Sequence, residues 1–160
     1  MKLILKKIAL VVASCMMTMI AYAQEPSTIG TKIDELVQKY EKTKGVEAVT
    51  INKGLGLNIV KKMLNKQFGK EFMKGVTSFT IIEYSKASDQ TIQDLRQDFE
   101  ALAPLLDEIE VGDTKEFANN EYIRCFASPI DSITATNFVV ASENKDGKMI
   151  IHMSGKIQLK

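Results

Sequence analysis

The sequence predicts a single α+β domain with a mostly antiparallel sheet and helices packed on one face of it. Some segments place apolar residues at helical spacing, whereas others are β-branched and alternate between apolar and polar residues. The predicted order is α-β-α-β-α-β-β-β. The turns between the last three strands are too short for a parallel crossover, so these strands should form an antiparallel meander.

Three helices are predicted from apolar stripes at helical spacing. The second helix should run from about Leu57 to Met73, weakened at Gly69 and ended by Gly75. The third should be capped by Ser88 or Asp89, and Pro104 should kink it or restart it as a short turn. The expected core-facing residues are Ile33, Leu36, Val37 and Tyr40; Val60, Met63, Leu64, Phe68 and Phe72; and Ile92, Leu95, Phe99, Leu102 and Leu106.

The strand predictions rest on β-branched, alternating segments bounded by turn residues. Gly54 to Gly56 should form a flexible turn after the first strand, and Asp146-Gly147 should form the hairpin turn between the last two. The five predicted strands are Val46 to Asn52, Thr77 to Tyr84, Tyr122 to Ser128, Ile133 to Ser142 and Lys148 to Ser154.

The N-terminus has the pattern of a secretory signal peptide. Three lysines precede an apolar run from Ile8 to Ile20, and small residues follow at Ala21 and Ala23. The 13-residue run is shorter than the roughly 20 residues of a membrane-spanning helix. We therefore expect residues 1–23 to be a signal peptide, cleaved between Ala23 and Gln24, and the protein to be periplasmic or extracellular.

A second processing signal overlaps the first. Residues 12–15 (Val-Ala-Ser-Cys) resemble a lipobox, in which Cys15 would be acylated and become the first residue of a lipid-anchored protein. The residues after Cys15 continue the apolar core, whereas a membrane tether should be polar and flexible. We favour cleavage after Ala23, and lipidation at Cys15 remains the alternative, in which case the protein would contact the membrane.

Cleavage after Ala23 leaves residues 24–160, one domain of 137 residues that can bury a core. The full-chain charge of +1 falls to −2 because three lysines are lost, so nothing in the charge indicates nucleic-acid binding. Residues 57–74 nevertheless carry a net +4 and residues 89–110 a net −6. These segments could be solvated faces that attract each other as neighbours, or docking surfaces for charged partners. The candidate docking face consists of Lys61, Lys62, Lys66, Lys70 and Lys74.

No catalytic motif, cofactor fingerprint or metal-ligand spacing is present in the sequence, so we predict neither an enzyme nor a cofactor. A dyad of Cys125 and His152 would make a thiol-dependent or hydrolytic enzyme, but an apolar strand pattern favours Cys125 as a core residue. The acidic run Asp107, Glu108 and Glu110 is interpreted as a charged helix end. A small-ligand carrier with a pocket between helices and sheet is a further alternative.

The segment IDELVQKYEKTKGVEAVTINKGLG, residues 33–56, is similar to the opening of domain-of-unknown-function family 4252, whose members are exported proteins of Gram-negative bacteria. Lys39-Tyr40, Val46 to Lys53, the helix after Ser88, and Met149 to Gly155 match the pattern of that family. The resemblance implies export and a single domain, and some members have signal peptides of lipoprotein type. It implies no catalytic residue and no ligand. We expect an exported, non-enzymatic envelope protein that binds a protein or another envelope component.

Overall fold

The computed structural model describes residues 27–108, 120–145 and 147–158. These residues form one six-stranded antiparallel sheet, in the order β1-β2-β6-β5-β4-β3, together with four helices and a 3₁₀ turn. The α+β class and the closing antiparallel meander are therefore confirmed. The elements are α1 (Ser27–Tyr40), β1 (Glu47–Ile51), α2 (Gly54–Phe68), α3 (Lys70–Gly75), β2 (Val76–Glu83), α4 (Asp89–Glu100), the 3₁₀ turn (Ala103–Leu105), β3 (Asp107–Glu108), β4 (Asn120–Asp131), β5 (Thr134–Asn144) and β6 (Gly147–Gln158).

The prediction that helices cover only one face of the sheet is wrong. Adjacent residues of a strand point to opposite faces, and along much of β5 and β6 both sets are buried. The first face packs against α2 and α3, and the second against α1 and α4. The first core includes Leu64, Phe72, Cys125, Val140 and Ile151, and the second includes Ile33, Phe99, Phe126, Val139 and Ile150. Burial on both faces explains the continuous apolar run 138–141 in β5.

The second predicted helix is two helices, and it begins earlier than expected. Residues 54–56, predicted to be a turn, form the first turn of α2. Gly69 separates α2 from α3 because it adopts a φ of +83°, which a helix interior does not accommodate. Of the predicted core residues, Met63 is 37% exposed, and the side chain of Phe68 lies outside the described part.

The third helix and the turn after it follow the predicted pattern. Ser88 caps α4 by accepting a hydrogen bond at its Oγ from the backbone N–H of Thr91, at 3.2 Å. Pro104 lies in the 3₁₀ turn that follows α4. This position suits proline, which has no backbone N–H to donate and a fixed φ. The predicted charged helix end is wrong, because Asp107 and Glu108 form β3 and pair with β4; Glu110 lies outside the described residues.

Two tight connections hold the ends of the sheet. The pairing between β5 and β6 extends as far as Asn144 opposite Gly147, which confirms the predicted hairpin. Asp146, in the turn of this hairpin, lies outside the described residues. Gly45, between α1 and β1, has a φ of +86° and lies against the backbone of Lys86. A Cβ atom at this position would be 2.2 Å from the Lys86 carbonyl oxygen, so only glycine fits here without a shift of the backbone.

Candidate binding face

The five lysines of the predicted docking face lie on α2 and α3, which belong to the first layer of helices. We call Lys61, Lys62, Lys66, Lys70 and Lys74 the basic face. Leu57, Val60 and Leu64 anchor α2 in the core, and Phe72 and Met73 anchor α3. Lys62, Lys70 and Lys74 are exposed, Lys61 is half-buried, and the side chain of Lys66 is outside the described part.

The basic face has little internal charge compensation. Lys74 Nζ lies 3.9 Å from a carboxylate oxygen of Glu71, and both side chains are mostly exposed, so the pair is weak. Lys61 Nζ donates a hydrogen bond to the carbonyl oxygen of Lys74, at 3.2 Å, which holds α2 against α3 without neutralising a charge. Among the other lysines of this face whose side chains the structure describes, Lys61, Lys62 and Lys70, none forms an ion pair with an acidic side chain. A positive surface therefore faces outward.

The acidic helix α4 lies on the opposite face of the sheet, so the two charged segments are not neighbours. Three of its four carboxylates, those of Asp94, Asp98 and Glu100, have hydrogen-bond partners within the fold. Asp98 accepts hydrogen bonds from Lys39 Nζ, at 2.5 Å, and from the Tyr40 hydroxyl, at 2.6 Å. Desolvation acts to raise the pKa of Asp98, but the hydrogen bonds from Lys39 and Tyr40 outweigh it and lower this pKa below its ordinary value.

The other charged groups near the end of α4 are also paired. Arg124 donates to both carboxylate oxygens of Glu100, at 2.9 and 2.8 Å, and its Nη2 donates to Glu108 at 3.0 Å. The Tyr122 hydroxyl donates to Glu100. Farther along α4, Asp94 accepts a hydrogen bond from the Gln90 amide at 2.8 Å. The acidic segment is thus largely used to attach α4 to α1 and to the sheet, and we do not regard it as a docking surface.

A buried glutamate that the sequence analysis missed fixes α4 to the sheet. Glu143, on β5, has a fully buried side chain, and Arg96 binds it with two hydrogen bonds, at 3.2 Å and 2.5 Å. The Tyr84 hydroxyl donates to the same carboxylate at 3.1 Å, and Lys148 Nζ lies 3.6 Å away. Burial, followed by the charge of Glu143, raises the pKa of Tyr84. The Arg96 guanidinium also lies 5.0 Å from the Tyr122 ring centroid. Glu143 is fully partnered, which indicates a structural role.

The structure does not bring Cys125 and His152 together. Cys125 pairs across the sheet with Val140, and Val140 pairs with Ile151. His152 follows Ile151 directly, so its side chain points to the opposite face from Cys125. His152 is buried, and its Nε2 donates a 2.8 Å hydrogen bond to the side-chain oxygen of Asn137. Burial lowers the pKa of His152 to about 4. The geometry needed for a Cys–His dyad is absent from these two residues.

The described residues also bear on the metal and carrier alternatives. Over the described ranges, no group of three or more His, Cys, Asp or Glu side chains is close enough to hold a metal ion. One cleft of about 200 Å³ lies between α1 and α4, and the Lys39–Asp98 ion pair is part of its wall. It is a surface cleft between two helices. A second cleft, of about 480 Å³, lies between α3 and the ends of β5 and β6 and is lined by Glu71, Lys74, Gly75, Thr134, Lys156 and Gln158. A small-ligand carrier with a pocket between helices and sheet therefore stays an alternative prediction.

The residues of the processing signals, Cys15, Ala23 and Gln24, lie outside the described part of the chain. None of the helices in the described ranges combines the length and hydrophobicity required to cross a bilayer.

Comparisons with known proteins add no relative. No family model matches the chain, and neither a curated protein nor a solved structure matches it. The similarity of residues 33–56 to domain-of-unknown-function family 4252 therefore stays a prediction.

Proposed function

We propose that this protein is an exported, non-enzymatic binding module of the cell envelope that docks an anionic partner through the basic face. The observation that carries the proposal is the difference between the two charged segments. The carboxylates near the end of α4 have cationic partners within the fold, whereas the only ion pair of the basic face within the described residues is an exposed one at 3.9 Å. Uncompensated charge concentrated on one face attracts and orients partners of opposite charge.

Export supports the envelope as the place of action. The positively charged start, the short apolar run and the Ala-x-Ala ending are the features of a cleaved signal peptide. The non-enzymatic assignment is supported by the absence of a catalytic motif from the sequence and by the separation of Cys125 from His152 on opposite faces of the sheet.

Charge reversal on the basic face tests this proposal. The test variant carries Lys62→Glu, Lys70→Glu and Lys74→Glu, and the binding of the purified protein to isolated cell envelopes is measured by co-sedimentation. The matched control reverses three exposed lysines at the other end of the sheet, Lys42, Lys44 and Lys145, so both variants have the same net charge.

The affinity of the test variant should fall at least about tenfold, whereas the control should bind like the wild type, because only the first set faces the partner. Urea denaturation must show that both variants remain folded. Equal binding by the two variants would show that the basic face is not the docking surface.

A further inference from the structure

α2 carries a second apolar stripe, away from its core-facing residues. Leu57, Val60 and Leu64 face the core, whereas Leu55 is 80% exposed, Ile59 53% and Met63 37%. With 3.6 residues per turn, Leu55 and Ile59 project from the side of the helix roughly opposite the core-facing residues. Exposed apolar side chains that recur on one helix face indicate an interaction surface more strongly than scattered single residues do.

Lysines share this outer side of α2 with the exposed apolar residues. Lys62 lies seven residues after Leu55 and three after Ile59, so it occupies the same sector of the helix. Lys53 is exposed immediately before the helix, and Lys70 and Lys74 of the adjoining α3 are exposed as well. The outer side of α2 is therefore apolar and cationic at once.

We propose that the anionic partner of the basic face is a lipid bilayer surface, on which α2 lies flat with Leu55 and Ile59 inserted between the lipids. This inference rests on the proposed function and names its partner. A bilayer with anionic headgroups offers phosphate oxygens directly above an apolar layer, and helices with interleaved lysines and large aliphatic residues bind at that boundary. Lysine side chains can extend to the headgroups while their methylene groups stay in the apolar zone.

The support of α2 by the core strengthens the inference. An isolated amphipathic peptide loses conformational entropy when it folds on binding, whereas α2 is already held in place by Leu57, Val60 and Leu64. At 1.5 Å per residue, its 15 residues present a ridge about 22 Å long. A deformable lipid surface accommodates a convex ridge, whereas a protein partner would need a complementary groove.

The test measures binding of the exported protein to vesicles by flotation. The protein is expressed from a precursor that carries Cys15→Ser, so that no acyl chain can be attached at this position. One set of vesicles is phosphatidylcholine alone, and the other contains about 30% phosphatidylglycerol, an anionic fraction within the range that attracts polybasic segments. The variants are Leu55→Ser with Ile59→Ser, the triple reversal of Lys62, Lys70 and Lys74, and a control. The control is Ile130→Ser with Ile133→Ser, which removes two exposed isoleucines near the β4–β5 turn.

We expect the protein to bind the anionic vesicles, to bind neutral vesicles much more weakly, and to lose affinity at high salt because the attraction is screened. Removing Leu55 and Ile59 should weaken binding at least about thirtyfold, given the apolar area that each would bury. The triple lysine reversal should weaken it about a hundredfold or more. The control should stay within about twofold, since Ile130 and Ile133 lie elsewhere on the surface.

Two results would overturn the lipid proposal and leave the proposed function intact. One is no binding to anionic vesicles while binding to isolated envelopes remains lysine-dependent, because the partner would then be a protein or another polyanion. The other is vesicle binding that needs the lysines but not Leu55 and Ile59, because the helix would then not insert. If the lysine reversals change neither vesicle nor envelope binding, both proposals fail.

Discussion

Replacing Arg96 by methionine should destabilise this fold strongly, because the substitution would leave a buried carboxylate without its main partner. Glu143 is fully buried and receives two hydrogen bonds from Arg96. Removing one partner of a buried ion pair costs about 3–5 kcal/mol. Tyr84 and Lys148 would still contact Glu143, and the Arg96 side chain is itself 43% exposed, so we expect no more than the lower end, about 3 kcal/mol.

The assay is urea denaturation followed by circular dichroism. With a urea slope of about 2 kcal/mol per molar, a loss of 3 kcal/mol would move the midpoint down by about 1.5 M. The matched control is Lys39→Met, which removes an ion pair on the surface. The Lys39 side chain, which forms an ion pair with Asp98, is 57% exposed. Replacing Lys39 should therefore leave the urea midpoint close to that of the wild type.

A double variant distinguishes the loss of the attraction between Arg96 and Glu143 from the cost of leaving the Glu143 carboxylate buried without Arg96. Arg96→Met combined with Glu143→Leu removes both members of the pair, and the double variant should regain most of the lost stability because no carboxylate then remains buried. A midpoint for Arg96→Met within about 0.5 M of that of Lys39→Met would refute this account of Glu143. So would a double variant no more stable than Arg96→Met alone.

Three further predictions test other features of the chain. Gly69→Ala should cost about 1–3 kcal/mol, because the φ of +83° and ψ of 152° at Gly69 lie in a region that essentially only glycine adopts. Gly45→Ala should destabilise the protein more, because a Cβ atom at Gly45 would also lie against the backbone of Lys86; equal urea midpoints would contradict this. His152 has a folded-state pKa of about 4, below its unfolded value of about 6.5, so the unfolded chain binds the extra proton and stability should fall as the pH drops from about 6.5 to 4. A His152→Gln variant should lose less stability over that window, and equal losses would show that His152 is not the titrating group. The intact mass of the exported protein should match a chain that begins at Gln24; an acylated chain that begins at Cys15 would reverse the choice of processing site.

Much of the secondary structure could be predicted because its signals are local. The Ser88 cap, the 3₁₀ turn at Pro104 and the hairpin that ends at Gly147 depend on residues within a few positions of each other. The sequence predicts that Gly69 weakens the second helix, but not that it divides this helix into two. The apolar run 138–141 signals a strand buried on both faces, and the one-sided arrangement of helices predicted from the sequence does not take this signal into account.

The candidate binding face was found in part from sequence. The five lysines stand out as a charge cluster, but Leu55 was placed in a turn, and the exposure of Ile59 and Met63 was missed. Whether an apolar residue of a helix is buried depends on which side the helix turns to the sheet, and α2 has apolar residues on more than one side.

The sequence by itself determined the α+β class and the types and approximate positions of the main elements, because local periodicity and turn chemistry report each of these. Tertiary structure decided that helices cover both faces of the sheet and that Cys125 and His152 are separated. It also decided which charges are paired: Arg96 and Glu143 are 47 positions apart, and Lys39 and Asp98 are 59 apart. Such contacts exist only once the sheet brings distant segments together, so no local pattern could show that the acidic helix is compensated while the basic face remains directed at solvent.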